Sequence, residues 1–158
     1  MSEHRSGSDL LADPVAQELL QSRIPARLAY TWHDGTPRVV PIWFHWNGEE
    51  IVVAGPPDAP KVAAIEAQPQ VALTIDGDTW PYKALILRGT ARVDMADGLP
   101  PEYAAAAERY FGPEQGQQWV GMVGPMFGTS ARITIRPDHV TILDFETRFP
   151  SKIASRMG

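Results

Sequence analysis

Residues Arg38 to Pro69 read RVVPIWFHWNGEEIVVAGPPDAPKVAAIEAQP. The run Val39 to Trp46 is almost continuously apolar, which predicts a strand covered on both faces. Pro41 has no N–H for a ladder and places that part of the strand at an edge or a bulge. Asn47-Gly48 supplies the positive φ angles of a tight hairpin turn, and Ile51 to Ala54 returns as the partner strand. A loop rich in glycine and proline, Gly55 to Pro60, then leads into a helix. Asp58 is the expected N-cap, and Pro60 falls in the first turn, where a missing N–H costs little. Val62, Ile65 and Ala63 are the expected apolar face, and Pro69 ends the helix.

Lys61 stands in that first turn, where a cation opposes the helix macrodipole by about 0.3–1 kcal/mol. A bound phosphate would reverse the sign, because free N–H groups and the ammonium would share one anion. An exposed lysine reaching into solvent is the plainer alternative.

Outward from this stretch, Asp13 with Pro14 opens a helix carrying Val15, Leu19 and Leu20 on one face. Ala26 to Trp32 is a strand that turns at Asp34-Gly35. Val71 to Ile75 is a short strand, Asp76-Gly77-Asp78 a turn, and Trp80 to Val93 a long strand with a bulge at Gly89. Leu99 to Tyr110 reads as a helix with Tyr103, Ala106, Ala107 and Tyr110 on one face, and Glu114 to Val123 as a second carrying Trp119 and Met122. Gly124 to Gly128 is a loop whose Met126 and Phe127 suit either a pocket wall or packing against the barrel or a second subunit. Ala131 to Ile135 and Val140 to Phe145 are the expected last two strands, joined by a turn at Arg136 to His139. Residues 1–9 and 151–158 are expected tails around one domain of residues 10–150.

The 158 residues carry a net charge of -5 and no basic stripe, which argues against nucleic acid as a partner. With no cysteine in the chain, disulfides, iron–sulfur clusters and thiol catalysis are excluded. No apolar run reaches the ~18 residues of a membrane helix, so a non-membrane, cytoplasmic location is expected. His4, His33, His45 and His139 lack the spacing of a zinc motif, and no metal is expected. Dinucleotide, P-loop and Gly-x-Ser-x-Gly motifs are all missing, and no catalytic side chain declares itself. A cofactor that carries its own hydride chemistry would need none.

Several segments together resemble the pyridoxamine 5'-phosphate oxidase-like superfamily of split β-barrels that bind FMN or the deazaflavin F420. They are Asp34-Gly35-Thr36-Pro37, Arg38 to Phe44, the loop into Lys61-Val62-Ala63-Ala64-Ile65, Gln68 to Leu73 and Leu87-Arg88-Gly89-Thr90-Ala91. The likeness is clear from Ala26 to Val93 and weak elsewhere. It implies a mainly β, α+β chain: a six- or seven-stranded antiparallel split barrel with flanking helices, forming a homodimer with the cofactor between subunits. It also implies that Lys61 and Arg38 contact the cofactor phosphate, that Val40, Pro41, Ile42 and Trp43 line the ring, and that Ala54 and Gly55 lie under the ribityl chain. Trp80-Pro81-Tyr82 is similar to a segment of some F420-using relatives, and Lys83 stands either at a phosphate or as a solvated guard on the strand.

The chain departs from the oxidase proper in three places. Pro60 stands where an arginine is usual and Gly55 where a threonine is common, and no counterpart of the vitamin-binding C-terminal elements is found in Asp144 to Pro150. Vitamin B6 oxidation is therefore not expected. The resemblance implies an oxidoreductase passing a hydride between FMN, or F420 as the alternative, and a small conjugated substrate. The other class left open is a non-catalytic carrier or store of flavin, F420 or haem.

Overall fold

The computed structural model describes residues 7–147. Seven strands form one antiparallel sheet: β1 (Ala26–Thr31), β2 (Pro37–Ile42), β3 (His45–Trp46), β4 (Ile51–Gly55), β5 (Gln70–Asp76), β6 (Lys83–Asp97) and β7 (Thr129–Asp144). Their order is β2-β1-β5-β6-β7-β4-β3, so β2 and β3 end the sheet. The sheet curls without closing and makes a split β-barrel. Five α-helices flank it: α1 (Gly7–Leu11), α2 (Pro14–Leu20), α3 (Pro60–Ala67), α4 (Pro101–Phe111) and α5 (Pro113–Val123). The expected tail boundary at residue 9 falls within α1. The expected tail 151–158 and the end of the Asp144 to Pro150 segment lie outside the described residues.

Alternation builds the core. Along β5, Val71, Leu73 and Ile75 are buried while their neighbours are not. Leu85 and Leu87 from β6, Ile133 and Ile135 from β7, and Ile51 and Val53 from β4 join them inside the barrel. The face of α2 that carries Leu19 and Leu20 seals one part, and α3 inserts Val62 and Ile65. Asp13 caps α2 as expected, its carboxylate accepting the Val15 N–H at 2.9 Å.

Three local expectations need correction. The apolar run from Val39 to Trp46 is not one covered strand. It breaks at Trp43-Phe44 into β2 and β3, which lie at opposite edges of the sheet. Val39 is 68% exposed, while Phe44 turns into the core. Pro41 does sit on an edge strand. Second, Arg136 to His139 is not a turn: β7 runs unbroken from Thr129 to Asp144. The register slips between Arg88 and Gly89: Arg88 faces His139, Gly89 faces Pro137, and Asp138 is left as the bulged residue. A Cβ on Gly89 would stand 2.1 Å from the Arg136 carbonyl oxygen, so only glycine permits this approach. Third, the cap of α3 is Ala59, not Asp58, and it makes no side-chain hydrogen bond. Pro60 occupies the first helical position, which makes the residue before it the cap. Ala64, rather than Ala63, completes the buried face of α3.

Candidate functional site

The end of β4 and the start of α3 hold the first part of the site. Lys61 is half-buried, and its Nζ lies 3.8 Å from where a Cβ on Gly55 would stand. No hydrogen bond or ion pair holds this ammonium among the described residues, and burial pushes its pKa below the ordinary value. The helix above it begins without a side-chain cap. An unpaired, partly desolvated cation beside uncapped N–H groups suits an anion such as phosphate.

Ala54, the neighbour of Gly55, opens onto a groove of about 390 Å³. Pro41, Ile42 and Trp43 line it from the strand side, Tyr103 and Trp119 from the helices, and Pro25 completes it. The register explains the arrangement. Ala54 pairs with Arg132 and Val52 with Thr134, so these four share the sheet face on which α4 packs. The small Ala54 leaves room under the helix.

An aromatic cluster fixes the groove's floor and helical wall. Trp43 stacks on Tyr110 with ring centres 5.0 Å apart and planes 17° from parallel. Phe111 meets Trp43 edge-on at 5.0 Å, and Tyr103 and Trp119 lie at 6.0 and 6.3 Å. Trp119 Nε1 donates to Tyr103 Oη at 3.0 Å. Arg109 clamps α4 to the Trp43-Phe44 break: Nη2 donates to the Phe44 carbonyl at 2.5 Å and Nε to the Ser22 carbonyl at 2.9 Å. Its guanidinium also lies 4.5 Å from the Phe44 ring centre. At the other end of α4, Glu102 bonds Arg132 at 3.2 Å, and Arg132 bonds Asp94 at 2.9 Å. His45 sits near this helix, and burial, then the Arg109 charge, hold its pKa below the usual range against the pull of Glu102.

The structure thus brings Pro41, Ile42, Trp43 and Ala54 into one groove, with Gly55 and Lys61 adjoining it through the end of β4 and Pro60 opening the helix. Val40 and Ile42 pack against the core. Arg38 is engaged elsewhere. It donates to Thr36 and, at 3.0 Å, to the Pro37 carbonyl, and its guanidinium lies 5.6 Å from the Trp32 ring centre. Trp80 and Lys83 form a separate group. Trp80 is 62% exposed and meets Tyr82 edge-on at 5.2 Å. Lys83 bridges Glu18 at 3.3 Å and Glu146 at 3.7 Å. Its pKa is raised, chiefly by the Glu18 hydrogen bond.

Sequence reasoning did not assign Tyr103 and Arg109 to the site. The helical spacing of Tyr103 and Tyr110 was visible, but nothing local says which strand that face covers. A larger cleft of about 720 Å³, lined by Gln17, Trp46, Glu50, Arg92 and Arg136 among others, contains none of the expected site residues.

With this geometry in hand, the chain belongs to the pyridoxamine 5'-phosphate oxidase family, whose profile matches residues 12–144. Among solved structures it is similar to an F420 reductase at 27% identity, with 79% of this chain and 94% of that one covered and a TM-score of 0.62. A conserved hypothetical protein from Mycobacterium tuberculosis aligns at 20% identity over 89% of this chain and 86% of its own, with a TM-score of 0.67. The haem storage protein HutZ from Vibrio cholerae aligns at 18% identity over 84% and 93%, with a TM-score of 0.60. At those lower identities the likeness speaks for the fold alone. No curated protein matches the chain.

Proposed function

We propose that this protein is an oxidoreductase that binds a phosphate-bearing flavin or deazaflavin and reduces or oxidises a small conjugated molecule. The observation that carries the reading is Lys61, a half-buried ammonium with no counter-ion among the described residues, one strand end away from an aromatic groove. The similarity to an F420 reductase puts F420 first and FMN second. The bound cofactor would supply the hydride chemistry itself.

The chain's own residues have three tasks. Lys61 and the uncapped start of α3 neutralise the phosphate. Gly55 and Ala54 leave the space in which the connecting chain passes. Pro41 to Trp43 carry the ring; β2 ends the sheet, so its outer backbone groups pair with no strand among the described residues and are free for the ring edge. A second copy of the chain placed against this edge would cover exposed Val39 and shield the ring from water, and the homodimer is part of the proposal.

The test is a titration of the purified protein with F420 and, separately, with FMN, followed by quenching of tryptophan fluorescence, since Trp43 lines the ring site. Saturable binding of either is the expected result. No binding of either would refute the reading.

A further inference from the structure

We infer that the cleft of about 720 Å³ is a second ligand site, and that it takes a flat aromatic ring bearing one carboxylate. Binding there needs no flavin or deazaflavin. The cleft lies away from the cofactor groove. Glu50 lines it just before β4 begins, whereas Lys61 stands beside Gly55, where β4 ends. The five residues of that strand separate the two by roughly 17 Å. The cleft has the volume of a small-molecule site.

Sheet register brings two cations together in it. Arg92 pairs with Thr134 and Thr90 with Arg136, so both arginines stand on one face of the sheet, a diagonal apart. Diagonal neighbours on antiparallel strands have Cβ atoms about 7–8 Å apart, close enough for two long side chains to share one anion. Arg92 Nη1 comes only to 3.9 Å from Glu50 Oε2, too far for a hydrogen bond. The Arg136 guanidinium has no ion pair or hydrogen bond among the described residues. Trp46 packs against the core and also lines the cleft. Its indole N–H, which can only donate, meets no acceptor among the described residues and is not buried. Guanidinium forks match a planar carboxylate, and an indole beside them matches a flat ring. Glu49 and Glu50 also line the cleft and balance the charge of the two arginines. A dianion such as phosphate would therefore find no net attraction to offset its costlier desolvation, which favours a monoanion.

The walls are held from several sides. Asn47 Oδ1 accepts the backbone N–H groups of Glu49 and Glu50 at 2.9 and 2.8 Å, which fixes the turn between Trp46 and Glu50. Across the cleft, the close approach of Gly89 to the Arg136 carbonyl fixes the backbone that carries Arg136 and Pro137. Gln17 Nε2 donates to the Leu11 carbonyl at 2.6 Å and ties α2 to α1 on the third side. The arginines therefore project from a settled frame, which lowers the cost of ordering a ligand between them.

Two probes of one outline test this: 2-naphthoate and its neutral counterpart 2-naphthylmethanol. Each is titrated against the full chain by ligand-observed NMR for the wild type, Arg92→Gln, Arg136→Gln and Lys61→Met. Both arginines are exposed, so their substitution should leave the melting temperature unchanged and the fold intact. The wild type should bind naphthoate saturably, and each arginine substitution should weaken it roughly 5- to 10-fold. Naphthylmethanol should bind more weakly than naphthoate and respond to neither arginine substitution. Lys61→Met, at the other end of β4, should leave the naphthoate affinity as it was. No saturable binding of naphthoate, or one affinity for all four proteins, would overturn the assignment. So would equal losses for both probes. A loss confined to Lys61→Met would place the acid in the cofactor groove and also overturn it. Displacement of naphthoate by an equal concentration of inorganic phosphate would overturn the choice of a carboxylate.

Discussion

Replacing Lys61 with methionine should make the cofactor-free protein more stable and the cofactor bind more weakly. Methionine keeps the length of the stem and has a similar helix propensity, so the change is close to the removal of one charge. In the folded protein that charge is unfavourable twice. It opposes the dipole of α3 by about 0.3–1 kcal/mol, and burial lowers its pKa with no compensating anion among the described residues. A gain of about 0.5–1 kcal/mol in a chain of 158 residues raises Tm by about 1–4 °C. On the binding side, a charged hydrogen bond to phosphate is worth about 1.5–3 kcal/mol, which predicts roughly 10- to 100-fold weaker cofactor binding. The pH dependence follows from the same depressed pKa. Between that value and the ordinary 10.5, the unfolded chain binds more protons than the folded one, so stability rises with pH across this window. The methionine variant should lack that rise, and wild-type cofactor affinity should fall over the same window as the ammonium is lost. Thermal melts of both proteins against pH, with fluorescence titration of F420 and FMN, measure all three. A variant that melts lower and binds the cofactor as well as the wild type would refute the argument.

The other predictions concern the framework. Gly89→Ala would drive a Cβ into the Arg136 carbonyl oxygen, where only backbone can yield; a loss of about 3 kcal/mol or more is expected from urea unfolding. Gly116→Ala meets the Glu108 backbone at 2.6 Å and should cost about 1–3 kcal/mol in the same measurement, with a changed tryptophan emission as Trp119 shifts. Arg109→Lys should not rescue the loss seen in Arg109→Met, about 2–4 kcal/mol by denaturation, because a lysine cannot reach the Ser22 and Phe44 carbonyls with one planar fork.

Much of the framework was legible because it depends on neighbours in the chain. Asp13-Pro14 opened α2, Asn47-Gly48 turned the β3–β4 hairpin, and Gly89 marked the bulge. The failures share a cause. Val39 to Trp46 is apolar throughout, but that pattern cannot distinguish one buried strand from two edge strands flanking a core-bound Phe44. Pro137-Asp138 carries turn chemistry, yet the bulge it makes opposite Gly89 lets β7 run through. The cap of α3 was misplaced on Asp58 although Pro60 already fixed Ala59 by its position. In the candidate site, the residues of β2 and β4 were named only through the family resemblance. The helical wall was not placed against them, because Tyr103 and Trp119 reach Trp43 across some sixty residues or more, and only the sheet register shows that Ala54 lies beneath α4.

Two lysines show what decides between equal-looking candidates. Both Lys61 and Lys83 stand at the start of an element and both invite a phosphate. Lys83 already holds Glu18 and Glu146, and these carboxylates raise its pKa. An incoming phosphate would have to displace two partners and then bear their repulsion. Lys61 has burial and no anion among the described residues, and its pKa moves the other way. A phosphate there would relieve an existing strain on the folded state instead of competing with an interaction already made, so the binding free energy includes the recovery of a destabilising term. That difference in sign, invisible in the residue types, is why the anion is assigned to the start of α3 and not to the start of β6.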